Sequence, residues 1–208
     1  MNTRLTTFTR RFPDIGIIKF GKFLLKSGLY SPIYLDLRRL RSFPDMLEEA
    51  AGILWELIGE CRHFDLIADV PTAATPLVSA VAVLHGAPMI TPHQPKDHGT
   101  KGTIDGDYSK GDRVILIDDL ITTAQSKLIA IEILENEGLR VTDVCVLVDR
   151  EQGGREALEE AGYELHAACT MREILLGLKD SFEESAPENI TQEQIEQTLE
   201  YLSEQTQR

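Results

Sequence analysis

Asp118 and Asp119 stand side by side directly after the apolar run Val114-Ile115-Leu116-Ile117, and the hydroxyls of Thr122, Thr123 and Ser126 follow at once. Adjacent carboxylates can accept hydrogen bonds from two neighbouring hydroxyls of a sugar. Loop N–H groups, and the first turn of the helix expected from near Lys127, can receive a phosphate. The segment therefore has the layout of a cradle for a phosphorylated ribose. An isolated Asp-Asp pair is also common in solvated turns, so its weight depends on what accompanies it. Four further polar residues stand in turns or loops: Lys26 in a Gly-containing turn, Arg150 just after an apolar strand, and Lys96 and His98 in a long polar stretch. Each has a plain reading: Lys26 solvated in its turn, Arg150 paired with a local acid, His98 idle on a loop. His63, His85, His93 and His166 lack supporting context and read as surface or core residues.

The elements that must position these groups alternate in type. Phe20 to Leu25 and Pro32 to Leu37 predict two strands joined by the turn Lys26-Ser27-Gly28-Leu29-Tyr30-Ser31. Ser42 is a candidate cap for a helix with Pro44 in its first turn. The helix's buried face would carry Met46, Leu47, Ala50, Ala51, Leu54, Leu57 and Ile58. Strands are expected at Leu66 to Val70, Met89 to Thr91, Val114 to Ile117, Val144 to Val148 and near Glu164 to Ala168. Helices are expected at Leu77 to Leu84, Lys127 to Glu137, Arg155 to Ala161 and Met171 to Leu178. Strands interleaved with helices predict a mainly parallel α/β sheet with ligands at the strand C-termini. Pro92 to Lys110 has no apolar period, and loops of that length commonly serve as lids or binding elements.

The last part of the chain changes character, which divides it into a domain over 1–179 and an acidic linker and helix over 180–208. From Asp180 onward the acids are Asp180, Glu183, Glu184, Glu188, Glu193, Glu196, Glu200 and Glu204, against Arg208 alone. Thr191 and Gln194 form a candidate capping box, and Ile195, Leu199 and Leu202 give a narrow apolar stripe. This helix could pack back on its own domain, be offered to a protein partner, or fray.

The net charge of −13 disfavours nucleic acid and anionic membranes as partners, and it requires local cations wherever a phosphorylated ligand binds. No apolar run approaches the ~18 residues of a membrane span, and Met1-Asn2-Thr3-Arg4 lacks a signal-peptide core. Three cysteines, Cys61, Cys145 and Cys169, lie far apart without metal-type spacing, which suits a reducing cytoplasm and core packing.

Several segments carry a resemblance in a common order: Phe20-Gly21-Lys22-Phe23-Leu24-Leu25-Lys26-Ser27-Gly28, Ser31-Pro32-Ile33-Tyr34-Leu35-Asp36-Leu37-Arg38, and Val70-Pro71-Thr72. Lys96-Asp97-His98-Gly99, Asp118-Asp119 with Ile121-Thr122-Thr123, and Val148-Asp149-Arg150-Glu151-Gln152-Gly153-Gly154 follow. The chain resembles the orotate phosphoribosyltransferases, type I phosphoribosyltransferases, over roughly Phe20 to Gly154. The resemblance implies a central mainly parallel sheet flanked by helices, an N-terminal hood hairpin and a C-terminal helical extension. It implies attack of orotate nitrogen on C1 of phosphoribosyl pyrophosphate with loss of pyrophosphate. The expected Mg²⁺ is carried by pyrophosphate and ribose, with no metal ligand from the protein. By the same resemblance Asp118 and Asp119 hold the ribose hydroxyls, and Thr72 belongs to the pyrophosphate loop. Thr122, Thr123 and Ser126 bind the 5′-phosphate, Lys26 and Arg150 face orotate, and Tyr34 is a further substrate-binding residue. Lys96 and His98 lie on a lid that reaches the neighbouring subunit of a homodimer.

The chain departs from the family pattern on the phosphate side. Ala124-Gln125 stand where a small pair such as Gly-Gly is usual, Ala73-Ala74 where Pro-Thr-Gly-Gly would continue, and Pro92-His93 where the lid usually begins Arg-Lys. A Cβ forced into a left-handed conformation would cost about 1–2 kcal/mol. Loss of one preorganised cation costs roughly 10²–10³ in rate. Three readings follow: a working orotate phosphoribosyltransferase with an altered phosphate grip, a non-catalytic relative with a ligand- or protein-binding role, and a transferase for another base, against which Lys26 and Arg150 argue.

Overall fold

The computed structural model describes residues 3–24, 30–94, 102–182 and 190–206. Lys26, Lys96 and His98 lie outside the described residues. A six-stranded sheet, in the order β5-β4-β3-β6-β7-β8, organises the molecule. Its strands are β3 (Leu66–Asp69), β4 (Met89–Pro92), β5 (Ile104–Asp105), β6 (Arg113–Ile121), β7 (Arg140–Asp149) and β8 (Glu164–Thr170). All neighbours are parallel except β4 and β5. The antiparallel β5 pairs Thr91 with Asp105 and Pro92 with Ile104, so part of the polar stretch expected to be loop forms an edge strand. Pro92 is tolerated there because it ends β4 beyond the register with β3, which stops at Ile90, so its missing N–H breaks no bond to that neighbour.

The central strand β6 sends alternate side chains into two cores, as its pleat dictates. Ile115 and Ile117 enter one with α1 (Thr3–Arg10), α2 (Pro44–Ile58), α3 (Thr75–His85), α6 (Met171–Ser181) and α7 (Gln192–Thr206). Val114 and Leu116 enter the other with α4 (Gln125–Asn136), and Leu158 of α5 (Gly154–Glu160) is buried there too. Burial on both faces explains why these strands read as continuous apolar runs.

Ahead of the sheet, the antiparallel hairpin β1 (Ile18–Leu24) and β2 (Tyr30–Leu35) forms the expected N-terminal element. Helix α1 was not legible: only Leu5, Phe8 and Thr9 of its eight residues are buried, too short a stripe for a periodicity argument. Ser42 does not cap α2. It ends a 3-10 helix, Leu37–Ser42, and extended Phe43 takes the N-cap position without a side-chain hydrogen bond, with Pro44 opening the helix. The buried face of α2 is Met46, Ala50, Ala51, Ile53, Leu54 and Ile58, while Leu47 and Leu57 pack at its margin.

At the C-terminus, Thr191 N donates to Gln194 Oε1 at 2.9 Å and Gln194 N donates to Thr191 Oγ1 at 3.2 Å, completing the expected capping box. Helix α7 packs against α6 and β2, burying Ile195, Thr198 and Leu202, and Lys179 Nζ meets Glu196 at 2.8 Å. Of the three readings for this helix, the one in which it returns to its own domain describes the fold. Ile195 is fully buried. Ile195→Ala is expected to cost about 2–5 kcal/mol, measured by urea unfolding, with early loss of amide protection in α7.

Candidate active site

The carboxylates of Asp118 and Asp119 are part of β6 rather than of a loop beyond it. Pairing to β7 continues through Asp118↔Val146, Leu120↔Val148 and Ile121↔Asp149, so the ladder carries both acids into a buried position. Asp118 turns toward α4. There Lys127 Nζ lies 2.5 Å from its Oδ2 and also donates to Leu120 O at 2.6 Å. Oδ1 of Asp118 accepts from Asp119 N at 2.9 Å, so both of its oxygens are engaged. Asp119 accepts from Leu120 N at 2.8 Å. Burial, reinforced by the adjacent Asp118 charge and partly offset by Lys127, pushes the Asp119 carboxyl up to about 7.

Lys127 escaped the sequence reading. A cation in the first turn of a helix opposes the helix dipole, and that misfit was the available signal of a specific anionic partner.

The loop leading into α4 differs from expectation in conformation. Ala124 sits at φ −76° and ψ −7°, and Ala74 at φ −79° and ψ −20°, both right-handed. Among the described non-glycine residues only Glu151 has positive φ, so the expected left-handed cost does not arise at Ala73, Ala74, Ala124 or Gln125. What the extra Cβ atoms change is how closely a ligand approaches. Gln125 and Ser126 are exposed at the start of α4, Thr123 is exposed and Thr122 half-buried. Gly154 packs beneath this loop: a Cβ there would meet Ile121 Cγ1 at 2.5 Å and Thr122 O at 2.8 Å.

Ser126, Val70, Pro71, Pro92, His93 and Gln94 are among the residues around a cavity of about 180 Å³ at the ends of β3 and β4. Thr72 is exposed on the turn between β3 and α3. That turn hangs from fully buried Asp69, which accepts from Thr75 Oγ1 and, at 2.5 Å, from Thr91 Oγ1. His93 is held to Asp105 at 3.3 Å.

Cations reach the site from the 3-10 helix, another feature the sequence reading passed over. Arg41 Nη2 donates to Ala73 O at 3.4 Å. Arg38 donates to Asp36 Oδ1 at 2.5 Å and to Tyr34 Oη at 3.1 Å, and feels the Asp119 charge. Arg150 follows β7, its backbone N–H donating to Ile121 O at 2.9 Å. It is 6% exposed, and its Nε and Nη2 are buried without hydrogen-bond partners. Desolvation pulls its pKa below the usual guanidinium range, while Tyr34 and Tyr201 act in the opposite sense. The neighbouring Asp149 does not hold it, since that carboxylate serves Arg155 Nε at 3.3 Å and Glu151 N at 2.8 Å.

A parallel sheet with hood hairpin, an acid pair on the central strand and a hydroxyl loop at a helix N-terminus together define a type I phosphoribosyltransferase. The chain is 39% identical over 193 residues to uridine 5′-monophosphate synthase of Bos taurus, covering 92% of this chain and 39% of that protein. It is 36% identical over 164 residues to orotate phosphoribosyltransferase of Thermococcus gammatolerans, covering 78% of this chain and 87% of that one. The structure of Leishmania donovani UMP synthase superposes with a TM-score of 0.85 at 35% identity, over 96% of this chain and 42% of that chain. The chain thus spans about two fifths of the synthases it matches, and most of the shorter relative. No family model matches it. The chain belongs to the orotate phosphoribosyltransferase family.

Two expectations follow from the acid pair. Removing the cation with Lys127→Met leaves a buried carboxylate uncompensated and costs about 3–5 kcal/mol in urea unfolding, with part recovered in Lys127→Met combined with Asp118→Asn. Asp119 binds its proton more tightly folded than unfolded, so its stabilising contribution is full below about pH 3.8 and is lost as pH rises through about 7. Asp119→Asn is therefore expected to melt above the wild type at pH 8, with the difference vanishing at low pH.

Proposed function

We propose that the chain catalyses transfer of phosphoribose from phosphoribosyl pyrophosphate to orotate, forming orotidine monophosphate and pyrophosphate. The observation that carries this reading is Arg150: a buried guanidinium with two unpartnered nitrogens is costly unless a planar anion completes it. Orotate, a ring bearing a carboxylate and carbonyl oxygens, has that complementarity. Tyr34 from the hood hairpin and Lys26 are assigned to the same ligand, Lys26 by family resemblance alone. Membership in a family of orotate phosphoribosyltransferases supports the same substrate.

In this reading Asp119 takes the ribose hydroxyls, with Asp118 holding the strand end against Lys127. Thr122, Thr123, Ser126 and the first amides of α4 take the 5′-phosphate, and Thr72 with Arg41 flanks the pyrophosphate. Catalysis consists of orienting orotate nitrogen against C1 and stabilising the departing polyanion. Lys96 and His98 are assigned to that leaving group from a lid that completes the site of a neighbouring subunit in a homodimer. Asp69 is already committed to Thr75 and Thr91, and Asp118 to Lys127, so neither is free to serve as a metal ligand. That fits Mg²⁺ riding on the oxygens of the substrate, where it would neutralise pyrophosphate charge. Three unpaired cysteines, Cys61, Cys145 and Cys169, suit a cytoplasmic setting. No helix among the described residues is long and apolar enough to cross a membrane.

One observation favours the alternative of a non-catalytic, ligand- or protein-binding relative, with the acidic C-terminal segment as a docking element. Pro92 lies in a strand and His93 is tied to Asp105, so neither replaces the cations usual there. Orotidine monophosphate formation by purified protein with Mg²⁺ separates the two. The expected result is turnover above a no-enzyme control, with kcat/KM for orotate reduced about 10²–10³-fold in Arg150→Ala and partly retained in Arg150→Lys. No turnover, together with orotidine monophosphate binding in calorimetry, would leave the alternative.

A further inference from the structure

At the opposite end of β7 from Arg150, the fold gathers side chains that the transfer reaction does not use. Cys61 in the turn just past α2, Asp143 on β7 and His166 on β8 bring one sulfur, one carboxylate oxygen and one ring nitrogen within 4.8 Å of one another. The carboxylate of Asp143 is 1% exposed. Its Oδ1 meets His166 Nε2 at 3.0 Å, while its Oδ2 is buried without a hydrogen bond. Arg62, mostly exposed, brings only Nε to 3.4 Å of that oxygen; its Nη2 donates to Thr142 O at 2.8 Å and lies 3.5 Å from Glu164. Asp143 thus meets the imidazole through one buried oxygen and keeps the other without a hydrogen bond beside exposed Arg62, while the Cys61 sulfur completes a set of three donors close enough for one compact cation.

We propose that Cys61, Asp143 and His166 form a binding site for a divalent transition-metal ion of the Zn²⁺ class, with water as the fourth ligand. Sulfur, nitrogen and oxygen donors together suit that class rather than Mg²⁺ or Ca²⁺. Zinc–ligand distances imply donor–donor edges of about 3.3–3.8 Å in a tetrahedral site. The nitrogen–oxygen edge of 3.0 Å is already near that range, and a modest movement of the half-buried Cys61 side chain closes the widest separation. Binding displaces the Cys61 thiol proton to solvent. Cys145 lies beside the site, its sulfur 3.4 Å from Cys61 Sγ. At that distance the Cys145 S–H can donate to the ligating sulfur. The ion would join the end of α2 to two neighbouring strands, a structural role separate from catalysis.

Co²⁺ titration of the chelator-treated full-length protein, under a reductant without thiols, tests this. The expected result is one equivalent bound with thiolate-to-metal charge-transfer absorption, displaced by Zn²⁺, and a melting temperature raised by the metal. Cys61→Ser removes the charge-transfer band, His166→Gln and Asp143→Asn weaken Co²⁺ binding at least about 10-fold, and Cys145→Ser retains the band. His166→Gln, at a partly exposed position, serves as the check if Asp143→Asn does not fold. Absence of the band in folded wild-type protein, or a band that survives Cys61→Ser, would overturn the proposal.

Discussion

The contact between Lys127 and Asp118 lets the central strand run fully buried and still deliver acids to its C-terminal end. A carboxylate as enclosed as Asp118 would be untenable alone, because its desolvation has no compensation. Lys127 supplies that compensation and, through Leu120 O, also ties the first turn of α4 to the strand. The loop carrying Thr122 and Thr123 is thereby anchored at both ends, with Gly154 closing it from below. Asp119, whose charge Lys127 offsets only in part, has its carboxyl pushed up to about 7, so two adjacent residues of one chemical type sit in different electrostatic settings.

Charge is distributed against the global balance. The chain carries a net −13, yet Arg38, Arg41 and Arg150 converge around the strand ends where an anionic ligand would sit. Arg38 and Arg41 come from a single 3-10 helix between the hairpin and α2, and so reach the acid pair and the Ala73 turn together. Ala74 and Ala124 carry no left-handed strain, since both sit in right-handed backbone that alanine adopts without penalty.

Much of the architecture was legible because it rests on local rules. Alternating elements, the apolar runs of β3, β6 and β7, the Met46–Ile58 face and the Thr191–Gln194 box all express short-range periodicity or capping. The features that escaped were those with a weak or long-range signal. Helix α1 buries too few residues to show a period, Ser42 was absorbed by an unforeseen 3-10 turn, and β5 becomes a strand only because β4 offers it an edge.

The same division holds for the chemistry. From residue order came the acid pair and the hydroxyl loop, and, through the resemblance of several ordered segments, the family and with it Arg150. Only the folded chain decided that Asp118 is neutralised by Lys127, that Arg150 is buried with nitrogens to spare, and that Cys61, Asp143 and His166 meet. Such pairings depend on which strands lie side by side and which helix crosses them. Burial then sets how far each charge is stabilised, and neither quantity is written in any short segment.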